Sequence, residues 1–299
     1  IDIGGYFNGY LAAVDQDEAA NREVNAVDWL RNTELHLGGE TTLDNGLTVG
    51  LHFEAEADGG NSMDLEESYL YMSGAWGRVN AGAEDGAAYL LQIAAPSADE
   101  NVDGIRQLIQ PVNYDVASGG VLTGGVQFDY DQDITGYSDK ITYLTPVLNG
   151  FQAAVSYIPD TDNTVDGSTY GVDDLSGVRE DDQANQFEEA YEAALRYEGQ
   201  WNELGFAAGA GYTHVERNED TAGASYEDDR KVWNVGVDMD YGPFGLGVVY
   251  LEDDLGDFFG LGDSETLVVG ADYTTGPFKL GASYFSEDVG ITTATDIET

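Results

Sequence analysis

Between residues 44 and 58 the chain reads DNGLTVGLHFEAEAD, in which Leu47, Val49, Leu51, Phe53, Ala55 and Ala57 alternate without a break with Thr48, Gly50, His52, Glu54, Glu56 and Asp58. A strict period of two puts the apolar set on one face of an extended strand and the polar set on the other, and no helix reproduces it. The stretch before it alternates likewise, with Thr33, Leu35, Leu37, Thr41 and Leu43 on one side and Asn32, Glu34, His36 and Glu40 on the other. Asp44-Asn45-Gly46 between them has the composition of a tight hairpin turn. The constraint is therefore a chain of antiparallel hairpins, each with one dry and one wet face.

The same unit recurs further along. Residues 187–199 turn at 200–203 into 204–216, residues 232–241 turn at Gly242-Pro243 into 244–253, and residues 265–273 turn at Gly276-Pro277 into 278–287. Residues 141–145 turn at 146–150 into 151–158. Between these hairpins lie long, acidic, Gly-rich connections at 15–26, 159–186, 217–230 and 252–264. Short turns at one end and long polar loops at the other are the asymmetry of an outer-membrane β-barrel.

The aromatic residues separate such a barrel from a soluble sandwich. On the apolar face they fall six residues apart in four strands, as Phe151 and Tyr157, Phe206 and Tyr212, Phe244 and Tyr250, and Phe278 and Tyr284. The descending strands add Tyr191 with Tyr197, also six apart, and Trp233 with Tyr241, eight apart. Six residues rise about 20 Å along a strand, or about 15 Å along the axis of a tilted barrel, which suits two interfacial girdles. Sandwich-core aromatics would carry no fixed spacing. Between the girdles the apolar face holds only uncharged residues such as Ala153, Val155, Ala208, Ala210, Leu246, Val248, Leu280 and Ala282. The opposite face holds Gln152, Gly209, Asp238, Asp240, Asp272, Lys279 and Ser283, which suits water rather than a packed core.

Composition narrows the partners. With 11 Lys+Arg against 57 Asp+Glu the formal charge is −46, so phosphate backbones are repelled and nucleic acid is excluded as a partner. No cysteine is present, which removes disulfides and thiolate chemistry. Disordered acidic chains are poor in aromatics, whereas 11% of this chain is aromatic. No apolar run reaches the length of a spanning helix. That leaves a membrane barrel open.

The stretch YSDKITYLTPVLNGFQAAVSYIPD, residues 137–160, resembles a recurrent segment of alphaproteobacterial, Gram-negative general porins, with a Thr-Pro turn and a closing Ser-Tyr-x-Pro-Asp. GETTLDNGLTVGLHFEAEADG and GRVNAGAEDGAAYLLQIAAPS, within residues 30–97, are similar to the same family. The resemblance implies an all-β transmembrane antiparallel barrel of 16 strands, a homotrimer in the outer membrane with lipid and lipopolysaccharide around it. It implies a single domain over 1–299 whose third loop, 86–137, folds into the lumen as the constriction. It further implies passive diffusion of small hydrophilic solutes and ions. Thirteen strands are legible, or 14 if 120–130 hides one, and the expectation from an odd count is that about three C-terminal strands are missing from the sequence.

Projecting the alternation inward makes Glu34, Glu40, Glu54 and Glu56 candidates for the pore wall, with Arg78 among the few basic residues and Glu84, Asp85, Asp99, Glu100, Asp103 and Arg106 on the constricting loop. Lys140, Arg196 and Lys279 are the remaining inward basic candidates. An acidic lining focuses negative potential in a narrow passage, so cation selectivity is expected. The family commonly sets an acidic loop against wall arginines; here the second and third strands carry Glu and His instead. On the fourth strand Leu70 and Met72 are expected inward and Tyr69 and Tyr71 outward, beside the small residues Ala81 and Ala83.

No cofactor is required by this chemistry. Asp160, Asp162 and Asp166 in a long loop offer oxygen ligands for Ca²⁺, although the run lacks the Gly and Glu of an EF-hand. His36, His52 and His214 stand singly, without His-Glu-x-x-His spacing, so no transition-metal site is expected. No G-x-S-x-G elbow occurs and an enzyme is not expected. The alternatives are a substrate-specific channel, which needs aromatics along the inner wall where Leu70, Met72 and Phe285 are the apolar candidates, and a structural or adhesive barrel presenting acidic loops.

Overall fold

The structure is a computed structural model that describes residues 1–16, 23–57, 63–96, 113, 130–161, 187–217, 228–256 and 263–289. Thirteen strands follow one another: β1 (Asp2–Ala13), β2 (Val27–Thr42), β3 (Thr48–Glu56), β4 (Asp64–Gly74), β5 (Gly77–Ala83), β6 (Asp139–Leu144), β7 (Phe151–Ile158), β8 (Phe187–Trp201), β9 (Leu204–Arg217), β10 (Arg230–Tyr241), β11 (Phe244–Asp253), β12 (Ser264–Thr275) and β13 (Phe278–Val289). A single helical turn, α1 (Ala87–Leu90), lies between β5 and β6. The strands form one sheet in sequence order, each antiparallel to its neighbours. Among the described residues no pairing joins β1 to β13, so the sheet is not closed between them. A strand within 120–130 falls outside the described residues, apart from Tyr130, which is not in a strand.

The hairpin ends are set by local chemistry. Gly242 and Gly276 have φ of 59° and 57°, and each is followed by a proline whose ring holds φ negative. Positive φ at only the first of two turn residues matches the twist of the flanking strands. Asn202 takes the same position at φ 55° in the turn between β8 and β9.

The alternation read from the sequence becomes two faces. Phe151 pairs with Tyr197, Tyr157 with Tyr191, Trp233 with Tyr212, and Phe244 with Tyr273, all on one face. Ring contacts join them into two rows: Phe151–Tyr197–Phe206 and Phe244–Tyr273 near the short turns, and Tyr157–Tyr191 and Trp233–Tyr250 nearer the long connections. Between the rows the apolar residues are exposed, with Val155 at 52%, Leu195 at 50% and Leu246 at 51%. A continuous exposed band of this kind is unfavourable in water and favourable against hydrocarbon.

The other face is partly covered. Residues 84–96, including α1, and the returning residues 130–138 lie on it, packed against β6–β13. Tyr89, Ala95 and Tyr130 form a buried cluster with Val249 and Val268 beside Phe285, and Ala87 and Leu91 form another with Ala154 and Ala194. Phe285 thus faces inward as expected, and it belongs to a packed cluster rather than to an open wall.

The parity of β4 corrects one expectation. Leu70 pairs with Leu51 and Met72 with Val49 on the outer face, where they are 47% and 40% exposed. Tyr69 pairs with His52 and Tyr71 with Gly50 on the inner face. The cause is cross-strand: aliphatic partners fix which set meets lipid, and the tyrosine hydroxyls find polar partners inside. Ala81 and Ala83 are outward as expected, but opposite Leu70 and Ser68.

Candidate functional site

The inner face of β1–β5 is a grid of polar side chains set by register. One cross-strand row runs Gly4, His36, Glu54 and Glu67, and the next runs Asp2, Gly38, His52, Tyr69 and Gly82. Rings step across four strands from Tyr6 to His36 (6.0 Å), to His52 (5.5 Å), to Tyr69 (5.4 Å) and to Tyr71 (6.5 Å). The Arg78 guanidinium stands over the Tyr71 ring at 4.1 Å, and its Nε donates to Asn80 Oδ1 at 2.6 Å. Tyr71 leans across Gly50, whose missing side chain leaves it room, and donates to Glu40 at 2.8 Å. Tyr6 donates to Glu34. These contacts hold carboxylates upright on an open wall, because Glu34, His36, His52 and Glu54 remain partly exposed.

The opposite part of the inner face seats the loop. Five inward glycines on β9–β12 form its floor: a Cβ on Gly209 or Gly236 would meet Ile93 at 2.9 and 2.8 Å, one on Gly211 would meet Ala88 at 3.2 Å, and one on Gly247 or Gly270 would meet Pro96 at 2.7 and 2.1 Å. Gly209 lies directly opposite Gly236, and Gly247 opposite Gly270, so the bare patch continues from strand to strand. Polar residues then fix the segment. Ala87 N donates to Ser156 Oγ at 2.9 Å, and Ala88 N and Thr135 Oγ1 donate to the two oxygens of Glu192 at 3.2 and 2.8 Å. Gln132 donates to Thr213 Oγ1 at 2.8 Å and to Val232 O at 3.0 Å, and accepts from Asn234 at 2.5 Å. Gln92 ties the outgoing and returning arms of the loop together by donating to Tyr130 O at 2.7 Å and accepting from Gln132 N at 2.8 Å. Residue 113 touches the far side, where its backbone exchanges two hydrogen bonds with the Gln16 side chain at 2.9 and 3.0 Å.

An apolar outer face with two aromatic rows, a polar inner face, and a connection between the fifth and sixth strands folded onto that face are now in place. The family model for Gram-negative porins matches residues 1–299. The chain belongs to the Gram-negative porin family. Among solved structures it is similar to an anion-selective porin from Comamonas acidovorans, at 16% identity and TM-score 0.55 over 96% of this chain and 80% of that one. It is similar to OmpT of Vibrio cholerae in its trimer form, at 13% identity and TM-score 0.56 over 99% and 80% of the two chains. A third is OprB of Pseudomonas putida, at 11% identity and TM-score 0.61 over 96% and 74%. No curated protein matches the sequence significantly. At these identities the solved structures establish the fold, and the family establishes an outer-membrane porin channel.

Within this porin the expected wall residues Glu34, Glu40, Glu54, Glu56 and Arg78 all stand on the inner face of β2, β3 and β5. Glu84 and Asp85 do not face water as a constricting pair, since they are 3% and 7% exposed beneath the loop. Asn80 donates to Glu84 Oε1, and Lys140 donates to the Glu84 backbone oxygen and, at 2.5 Å, to Gly136 O. Burial pushes the Glu84 carboxyl up to about 7, against the opposing pull of Arg78, Lys140 and Asn80. Lys140 and Arg196, expected as inward charges, are engaged by the loop: Arg196 donates to Gln92 O at 3.1 Å and pairs with Glu198 at 2.6 Å. Lys279 lies 3.5 Å from Asp272. Asp99, Glu100, Asp103 and Arg106 lie outside the described residues, as do Asp162 and Asp166. Asp160 is placed just beyond β7, where the backbone of the next residue, Thr161, donates to Glu188 O at 3.1 Å.

Sequence reading missed two features. The glycine floor gave no signal because each glycine is isolated in its own strand and only register lines them up. The second is a convergence of His36, His52 and Glu54, whose ligand atoms all lie within 4.8 Å of one another. Spacing along one strand carries no information about distance between strands, so the lack of a His-Glu-x-x-His motif does not register this convergence.

Proposed function

We propose that this porin is a general diffusion channel for small hydrophilic solutes with a preference for cations. The observation that supports it is the asymmetry of the inner face: on β2–β4 the inward charges include Glu34, Glu54, Glu56 and Glu67, all partly exposed, and Glu40, which is exposed, answered there by two histidines. On the opposite wall the basic residues Lys140, Arg196 and Lys279 are already engaged by the loop or by carboxylates. An excess of one sign along a low-dielectric passage attracts counter-ions and excludes co-ions. The similar Comamonas protein is described as anion-selective, and at that identity the wall residues of this chain, not the shared fold, argue its preference.

The loop 86–137 serves as the constriction in this reading, with its described arms clamped to β7–β12 and residue 113 reaching the connection after β1. A homotrimer is part of the proposal, supported by the trimer form of the similar Vibrio protein and by the small outward residues Ala81 and Ala83. Swelling of liposomes in a graded series of sugars tests general diffusion. Rates should fall smoothly with solute size, and an absence of swelling would leave only a structural role.

One observation favours a second reading, a substrate-specific channel. The ladder Tyr6, His36, His52, Tyr69 and Tyr71 places aromatic rings along the inner wall, which the sequence had assigned to Leu70 and Met72. One sugar entering far faster than others of its size would select this reading.

A further inference from the structure

We propose that His36, His52 and Glu54 form a binding site for a divalent transition-metal ion of the zinc class on the inner wall of β2 and β3. The site goes beyond the channel reading and does not depend on it.

Register makes the site. His36 and Glu54 are direct cross-strand partners, and His52 stands two residues before Glu54 on the same face. Directly opposed residues bring their side chains within about 5 Å, and same-face neighbours along a strand lie close enough for long side chains to meet. Glu54 Oε2 lies 3.1 Å from His36 Nδ1 and 3.4 Å from His52 Nε2. A tetrahedral centre with bonds of about 2.1 Å has ligand edges of about 3.4 Å, so the two edges to Glu54 Oε2 already stand at coordination spacing, and the ligand atoms of all three residues lie within 4.8 Å of one another. Glu67 Oε2 on β4 lies 3.6 Å from His52 Nε2, so the neighbouring strand adds a carboxylate beside the group.

The surroundings match those of a metal centre. His36 presents Nδ1 to the site, and its other nitrogen, Nε2, lies 3.5 Å from Glu34 Oε2. A carboxylate behind a ligating imidazole fixes the ring and raises its basicity. Glu34 is itself held by the Tyr6 hydroxyl, and the rings of Tyr6 and Tyr69 flank the two histidines at 6.0 and 5.4 Å. The side chains of His36 and His52 are about a quarter exposed, so an ion in the channel reaches them.

The donor set selects the class of ion. Two imidazole nitrogens with carboxylate oxygens suit zinc, copper, nickel or cobalt, whereas calcium and magnesium take oxygen alone. This separates the site from the acidity of the chain in general, which offers carboxylates in many places but brings two histidines together only here among the described residues.

The test is calorimetric titration of the detergent-folded full chain with zinc ions, in 0.15 M salt with excess Ca²⁺ to occupy scattered carboxylates. The expected result is one tight ion per chain, weakened at least 100-fold in both His36→Asn and His52→Asn and about 10-fold or more in Glu34→Gln, the loss typical of an outer-shell partner. Folding of each variant is read by its circular dichroism. A copper-loaded sample provides a second measurement, in which electron paramagnetic resonance should show two coordinated nitrogens. Absence of tight zinc binding, unchanged binding in the double histidine variant, or displacement by Ca²⁺ would overturn the site. No channel measurement enters, so failure here leaves the diffusion reading untouched.

Discussion

Single residues in this porin divide by whether register or burial decides their chemistry. Glu84 belongs to burial. Its carboxyl is raised from an ordinary 4.5 to about 7, and its Oε2 has no hydrogen-bond partner among the described residues, as suits a neutral acid. Because the folded state holds this proton more tightly than the unfolded state, the group favours folding most below pH 4.5, and that contribution is lost as the pH rises to 7. A shift of this size corresponds to about 3 kcal/mol, at about 1.4 kcal/mol per unit. Glu84→Gln should therefore gain stability relative to the wild type between pH 5 and pH 8. Denaturant midpoints at the two values check it, and an equal difference at both would remove the buried acid from the account. The acidity of Glu84 was legible in the sequence, but its burial was not, since nothing local records which part of a long connection lies against the sheet.

At the scale of elements, strand order, turn positions and outer face were legible because a period of two and Gly-Pro or Asn turns are local signals. The exception was β4. Tyr69, Leu70, Tyr71 and Met72 alternate between two apolar-capable sets, and only pairing with Leu51 and Val49 resolves which faces lipid. Outer-face parity is tested by Val248→Arg, a charge midway between the aromatic rows, which should cost about 2–4 kcal/mol on insertion into vesicles. Arginine at Asn8, on the inner face of β1, should insert normally. The glycine floor is tested separately. A side chain at Gly270 meets Pro96 backbone oxygen at 2.1 Å, so Gly270→Val should lift the loop arm, destabilise the fold by about 1–3 kcal/mol and change single-channel conductance. Gly38→Ala on the open wall meets nothing nearer than 3.7 Å and should leave conductance unaltered.

For the whole molecule, the charge of −46 acquires a location. The outer band between the aromatic rows excludes it, and the inner wall of β2–β4 gathers carboxylates that Tyr6, Tyr71 and the two histidines hold in place. That the inside is a wet wall on one side and a clamped loop on the other could be anticipated from alternation and from resemblance. The engagement of Lys140 and Arg196 by the loop could not, since their partners are more than 50 residues away in sequence, except for Gly136 and Glu198. The most direct test of the acidic-walled channel is the reversal potential of the protein in a planar bilayer under a tenfold KCl gradient. The account predicts a potential of cation-selective sign that diminishes when Glu34, Glu40, Glu54 and Glu56 are replaced by Gln. A potential near zero, or one of anion-selective sign, in the wild type would contradict it.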